Sequence, residues 1–192
     1  VKKTNKATHL TATIARHLSA LMAAAVIFPA SSHAQTLYVA NNGNSTVTAY
    51  NATTGGAPTL TISSGVSAPI GMILANNNLY VANHDAGTVT VYNPASGGSP
   101  TMSITGLVFP YNMAISGNNL FVTDAQLGQV NEYNATTGGS PTQIFSISSY
   151  AFPIAVALSG NNLFSANNGT NTVTEFNTTN GATNLTISTG IN

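Results

Sequence analysis

From Thr36 onward, short apolar runs alternate with stretches rich in Asn, Thr and Gly, and the alternation returns four times. Each copy opens on one string: Leu37-Tyr-Val-Ala-Asn41, Leu79-Tyr-Val-Ala-Asn83, Leu120-Phe-Val-Thr-Asp124 and Leu163-Phe-Ser-Ala-Asn167. A spacing of about 42 residues is that of stacked supersecondary units, each too small to bury its own apolar face. Four strands are predicted per copy. An apolar run such as Ile70-Gly-Met-Ile-Leu-Ala75 has the length of a strand buried on both faces. The pair Asn76-Asn77, or Gly117-Asn118 and Gly160-Asn161, then supplies the positive φ of a two-residue hairpin. The opening string is the second strand. Thr88-Val-Thr-Val-Tyr92 and its counterparts at Val47–Tyr50, Val130–Tyr133 and Val173–Phe176 form the third, rich in the β-branched and aromatic residues that suit a pleated surface. A loop opening on Asn51, Asn93, Asn134 or Asn177 leads to a fourth strand such as Met102-Ser-Ile104. No helical period competes past residue 35. Four antiparallel strands per unit predict an all-β fold, a β-propeller of about four blades with repeats starting near 36, 78, 119 and 162.

These strings resemble a known family. Tyr80-Val-Ala-Asn83 followed by Gly87-Thr-Val-Thr-Val91, and Leu37-Tyr-Val-Ala-Asn-Asn-Gly-Asn-Ser-Thr-Val-Thr48, are similar to the YVTN-type β-propeller repeat and its relative, the NHL repeat. The resemblance implies an exported or surface-associated protein. The family includes interaction scaffolds, surface-layer proteins, lactonases and lyases. Its enzymes tend to place metal ligands or catalytic His and Arg around the central channel, where this chain has only His84 to offer.

Charge sharpens the picture because there is so little of it. Charged residues make up 4% of the chain, and all four cations, Lys2, Lys3, Lys6 and Arg16, precede residue 17. They lead into the apolar run from Leu18 to Ala30, which ends in small residues at Ser32-His33-Ala34. That order is a secretory signal over 1–34, cut after Ala34, with 35–192 as the repeat domain. A run so short, broken by Pro29, falls below the ~20 residues that span a bilayer. The expected location is secreted, periplasmic or cell-surface. From Gln35 onward there are four carboxylates, Asp85, Asp124, Glu132 and Glu175, and no Lys or Arg. Side-chain neutralisation of phosphates is thereby excluded, which argues against nucleic acid and anionic membranes as partners.

Candidate chemistry collects on one rim. The loops between second and third strands share that rim with the loops joining consecutive copies, which bring Phe109, Tyr111, Tyr150 and Phe152, with Asn112 beside them. The ligand-binding candidates are His84, Asp85, Tyr111, Asn112, Asp124 and Tyr150. Amides and aromatic rings without cations suit a neutral glycan, a peptide or another protein. Asn41, Asn83, Asp124 and Asn167 recur once per copy, so they are expected to cap turns. His84, Asp85 and Asp124 lack a metal-ligand spacing. Glu132 and Glu175 hold equivalent third-strand positions; solvated outer positions are expected for them, not a glycosidase pair. No catalytic residue, metal or cofactor is assigned. A noncatalytic binding or interaction module is expected, with a lactonase- or lyase-like enzyme acting through His84, or a structural surface component, as alternatives. Copy one starts at Leu37 without an inner strand before it, so about fifteen strands are expected, in an open arc that either self-associates through exposed edges or is a fragment of a larger ring.

Overall fold

The computed structural model describes residues 35–191 together with the backbone of Ala25–Ile27. Its strands form four antiparallel four-stranded sheets, each built from consecutive segments of chain. Blade 1 is β1 (Ala25–Ile27), β2 (Thr36–Asn41), β3 (Thr46–Asn51) and β4 (Leu60–Ile62). Blade 2 is β5 (Pro69–Ala75), β6 (Asn78–Asn83), β7 (Thr88–Asn93) and β8 (Gly97–Ile104). Blade 3 is β9 (Pro110–Ser116), β10 (Asn119–Asp124), β11 (Gln129–Asn134) and β12 (Gly138–Ser146). Blade 4 is β13 (Pro153–Ser159), β14 (Asn162–Asn167), β15 (Thr172–Asn177) and β16 (Thr183–Ile187). The first strand of each blade is innermost, and β5, β9 and β13 approach one another more closely than the outer strands β4, β8 and β12 do.

One strand departs from expectation. The sequence leaves blade 1 without an inner strand, whereas Ala25–Ile27 pairs antiparallel with β2, Ala25 opposite Val39 and Ile27 opposite Leu37. An apolar run with β-branched residues satisfies the open edge of β2 as readily as it fits an export signal. The remainder of the 1–34 signal segment lies outside the described residues.

Local chemistry sets the turns. Asn76 and Asn77 both hold positive φ, 50° and 58°, as a type I′ hairpin requires. In the other two hairpins only the first residue, Gly117 (φ 57°) or Gly160 (φ 58°), does so, which is the type II′ pattern. After each third strand an Asn side chain caps the following turn: Asn51 Oδ1 accepts from the backbone N–H of Thr53 and Thr54, and Asn134 Oδ1 from those of Thr136 and Thr137.

Packing between blades follows from the two-residue period of a strand. Alternate residues of one blade face the next blade: Tyr38, Ala40, Val47, Ala49 and Ile62 of blade 1 pack on Leu79, Val81 and Tyr92 of blade 2. Tyr80, Ala82, Val89, Val91 and Ile104 of blade 2 meet Leu120, Val122 and Tyr133 of blade 3 in the same way. Phe121, Val130 and Phe145 of blade 3 meet Val156, Leu163 and Phe176 of blade 4. Two of the forward-facing tyrosines also reach a backbone carbonyl of the next blade, Tyr38 OH to Pro94 O at 2.8 Å and Tyr80 OH to Ala135 O at 2.9 Å. Among the described residues nothing covers the forward face of blade 4, where Leu185 and Ile187 of β16 are exposed. Among the described strands, packing runs from blade 1 through blade 4 with no comparable contact between the two end blades.

Glycines mark where the loop crowns touch. Gly87 and Gly128 close the turns between second and third strands at φ 61° and 64°, and a Cβ on either would strike a backbone carbonyl, that of Leu107 or of Ser148. Gly128→Ala therefore meets both a left-handed backbone and a rigid obstacle. It is expected to destabilise the fold by about 1–3 kcal/mol, read as a lower melting temperature. Gly117→Ala, which has open space at its Cβ, serves as the comparison and should lose less.

Candidate functional site

The rim is assembled by a bond pattern that repeats from blade to blade. The residue after the leading Asn or Asp donates its N–H to the residue preceding the inner-strand proline: His84 to Ala68 O at 3.2 Å, Ala125 to Phe109 O at 2.9 Å, Asn168 to Phe152 O at 3.1 Å. The leading side chain fastens the same loop from below. Asn83 Oδ1 accepts from Ser67 N, and its Nδ2 donates to Thr88 Oγ1 and Thr90 Oγ1. Asp124 uses both carboxylate oxygens on backbone donors, Val108 N at 2.9 Å, Phe109 N at 3.3 Å and Leu127 N at 3.5 Å. It has no exposed surface. It acts on the rim through the loop it holds, since that loop presents Phe109.

His84 is the centre of a small cluster. Its ring stacks on Phe109, centroids 4.4 Å apart and planes 11° from parallel, and meets Tyr111 edge-on at 5.3 Å. Its Nδ1 lies 2.7 Å from Asp85 Oδ1, which orients the imidazole. His84 is about one-fifth exposed and Asp85 two-thirds. The arrangement offers two aromatic surfaces, a steered imidazole and one carboxylate, without a cation.

Of the residues singled out from sequence, the structure brings His84, Asp85 and Tyr111 together with Phe109, one of the aromatics expected on the rim. Asn112 lies on the inner strand, where its Oδ1 accepts from Val156 N at 3.3 Å and ties β9 to β13. Tyr150 stands apart and is the most exposed aromatic among the described residues, at 79%. Its loop has slipped relative to the others: Val66 and Leu107 are buried in blades 2 and 3, while in blade 4 Ala151 is buried and Tyr150 is turned out. Phe152 beside it holds φ 46° before a proline, a backbone conformation disfavoured for a bulky residue. No three His, Cys, Asp or Glu side chains gather among the described residues.

Of the two third-strand glutamates, only Glu132 departs from the solvated position expected. Glu175 is partly exposed and accepts from Asn184 Nδ2 at 3.2 Å. Glu132 is buried, because its position opposite Phe121 lies on the forward face that blade 4 covers. Solvent exclusion pushes its carboxyl above the usual carboxylate range. A pattern of strands places a residue on a face but does not say that a neighbouring sheet covers it.

Sequence reasoning missed Gln129 and Asn131 of β11, which line a groove of about 440 Å³ between blades 2 and 3. The available signal was their departure from Thr88 and Thr90 at the matching positions.

No protein-family model matches the sequence, and no curated protein matches it. Solved structures do match in fold. The chain is similar to Sqt1 of Saccharomyces cerevisiae, with a TM-score of 0.72 at 15% identity over 86% of this chain and 48% of that one. It is similar to a chain of the nidogen/laminin complex, with a TM-score of 0.64 at 16% identity over 79% and 59%. Virginiamycin B lyase from Staphylococcus aureus gives a TM-score of 0.66 at 12% identity over 84% and 54%. The chain thus spans about half the length of the solved chains it matches. At these identities the likeness establishes the β-propeller fold.

Glu132 carries a pH test. Its folded pKa lies above the ordinary value of 4.5, so protonation favours the folded state. That contribution is complete below the unfolded pKa and is lost as pH rises through the folded one. Glu132→Gln is therefore expected to raise the melting temperature at pH 7, with the advantage over the parent chain vanishing in a pH series carried below about 4.

Proposed function

We propose that this is an exported, noncatalytic propeller of the YVTN or NHL type whose rim binds a neutral peptide segment of a partner protein. The observation that carries this reading is the cluster of His84, Phe109 and Tyr111 on the rim, with Tyr150 and Phe152 exposed on the following inter-blade loop. Aromatic faces with a polar edge contribute most per unit area in such interfaces, and a surface without Lys or Arg favours neutral ligands over phosphate or sulfate. Support for a protein partner comes from the nidogen/laminin complex among the similar folds.

One observation favours a second reading. Asp85 steers the His84 imidazole as a carboxylate steers a general base, which would suit a lyase. Among the described residues, no hydroxyl or second acid is hydrogen-bonded to that ring, and the binding reading therefore stands first. Self-association through the open forward face of blade 4 is a further part of the proposal, since Leu185 and Ile187 are exposed there.

Three measurements decide among these. A peptide array should return neutral, aromatic-containing sequences, and Tyr111→Ala should weaken the best of them at least tenfold without lowering the melting temperature. Binding confined to anionic ligands, with affinity falling steeply as salt rises, would sink the reading. Protein made in a host with a periplasm should begin at Gln35, as N-terminal sequencing would show; that cleavage removes β1 and leaves the inner edge of β2 open. Retention of Lys2 and Lys3 on the exported material contradicts export by this signal. Light scattering should show a dimer that Leu185→Asp reduces to a monomer.

A further inference from the structure

In three blades the third strand carries two threonines, and one asparagine spans them. Asn41 Nδ2 donates to Thr46 and Thr48, Asn83 Nδ2 to Thr88 and Thr90, and Asn167 Nδ2 to Thr172 and Thr174, all within 3.2 Å. Blade 3 breaks the set at all three positions, with Asp124, Gln129 and Asn131. An ionised carboxylate has no proton to give a hydroxyl, and Asp124 is committed to backbone donors. The two amides bond to each other instead, Gln129 Nε2 donating to Asn131 Oδ1 at 2.8 Å, and Asn131 Nδ2 to Tyr133 OH at 3.4 Å.

The one blade that departs from the staple is the one whose Gln129 and Asn131 line the groove of about 440 Å³. Ser103 and Thr105 of blade 2 form its opposite wall, and Ser140, Pro141 and Ile144 of blade 3 its outer end. Asn131 is 3% exposed, so its amide is held in place. Each amide keeps a second N–H, and Gln129 Oε1 has no protein partner among the described residues, so both donors and an acceptor remain for a ligand. No charged side chain lines the groove. Its volume falls within the range of small-molecule sites, about 300–1,000 Å³.

We propose that this groove, separate from the rim, binds a neutral saccharide. Vicinal hydroxyls donate and accept at once, as the paired amides and wall hydroxyls do, while Pro141 and Ile144 offer an apolar surface to the C–H face of a sugar ring. An anionic sugar would be desolvated there without a counter-charge. Two threonines staple a strand adequately in three blades, so local stability does not require long amides in the fourth.

The test uses the full chain and a panel of neutral trisaccharides built on glucose, mannose and N-acetylglucosamine. In amide-resolved NMR, at least one of them should shift the side-chain amides of Gln129 and Asn131 saturably at millimolar sugar, and a sulfated counterpart should not. The variant Asp124→Asn with Gln129→Thr and Asn131→Thr rebuilds the staple of the other blades and should fold while binding at least tenfold more weakly. Ser103→Val, on the opposite wall, should weaken binding too and gives the answer if the triple variant fails to fold. Tyr111→Ala should leave this binding unchanged. The proposal is overturned if no neutral sugar shifts those amides, if the folded triple variant or Ser103→Val binds as the parent does, or if a neutral tripeptide produces the same shifts.

Discussion

Everything in this molecule depends on the covering of one sheet face by the next sheet. A blade of four short strands has two faces and cannot bury either by itself, so it depends on the sheets beside it. The residues that resolve this are few and repeat in place: a Tyr or Phe, a small residue and a Val on the forward face, against a Leu and an aromatic on the rear face. Tyr80 is wholly buried between blades 2 and 3 and also finds a carbonyl for its hydroxyl, so the interface tolerates a polar atom at its centre. The rim follows from the same stacking, because it holds the crowns of neighbouring blades against each other at Gly87 and Gly128. Only with those crowns fixed does Phe109 lie flat beneath His84.

Much of the fold was legible because strand periodicity and turn chemistry repeat, and four copies of a weak signal make a strong one. The hairpin turns at Asn76-Asn77, Gly117-Asn118 and Gly160-Asn161 lie where Asn and Gly predict them. The inner strand of blade 1 was not legible, since Ala25–Ile27 sits inside a segment with the composition of an export signal, and both uses ask for the same apolar residues. The burial of Glu132 was hidden for a different reason: its blade says which face it occupies, and only the angle and closeness of blade 4 say that the face is covered.

The candidate site was half legible. His84 and Asp85 stand out in a chain nearly free of charge, and Tyr111 follows two positions after Phe109, so residue type alone pointed to them. That Asp124 fastens a turn through backbone donors was legible from its recurrence at the place of Asn83, whereas its inability to donate to third-strand hydroxyls depends on which atoms carry protons. The groove at Gln129 and Asn131 was available as a mismatch between copies. Repeats invite attention to what they share, yet chemistry that differs from the scaffold resides where a copy deviates.

The open forward face of blade 4 and the succession of interfaces behind it make the molecule a linear array of coupled units in energetic terms. Each blade is stabilised only by its immediate neighbours, so opening propagates from an end instead of occurring everywhere at once. Blades 2 and 3 have covered faces on both sides, so their amides, those of Val81 and Val122 among them, are expected to exchange slowest. Among the described residues β16 of blade 4 is exposed along its whole length. A ligand seated between blades 2 and 3 would therefore lock the hinge of the array, while one seated on a terminal blade would set how often the array begins to come apart.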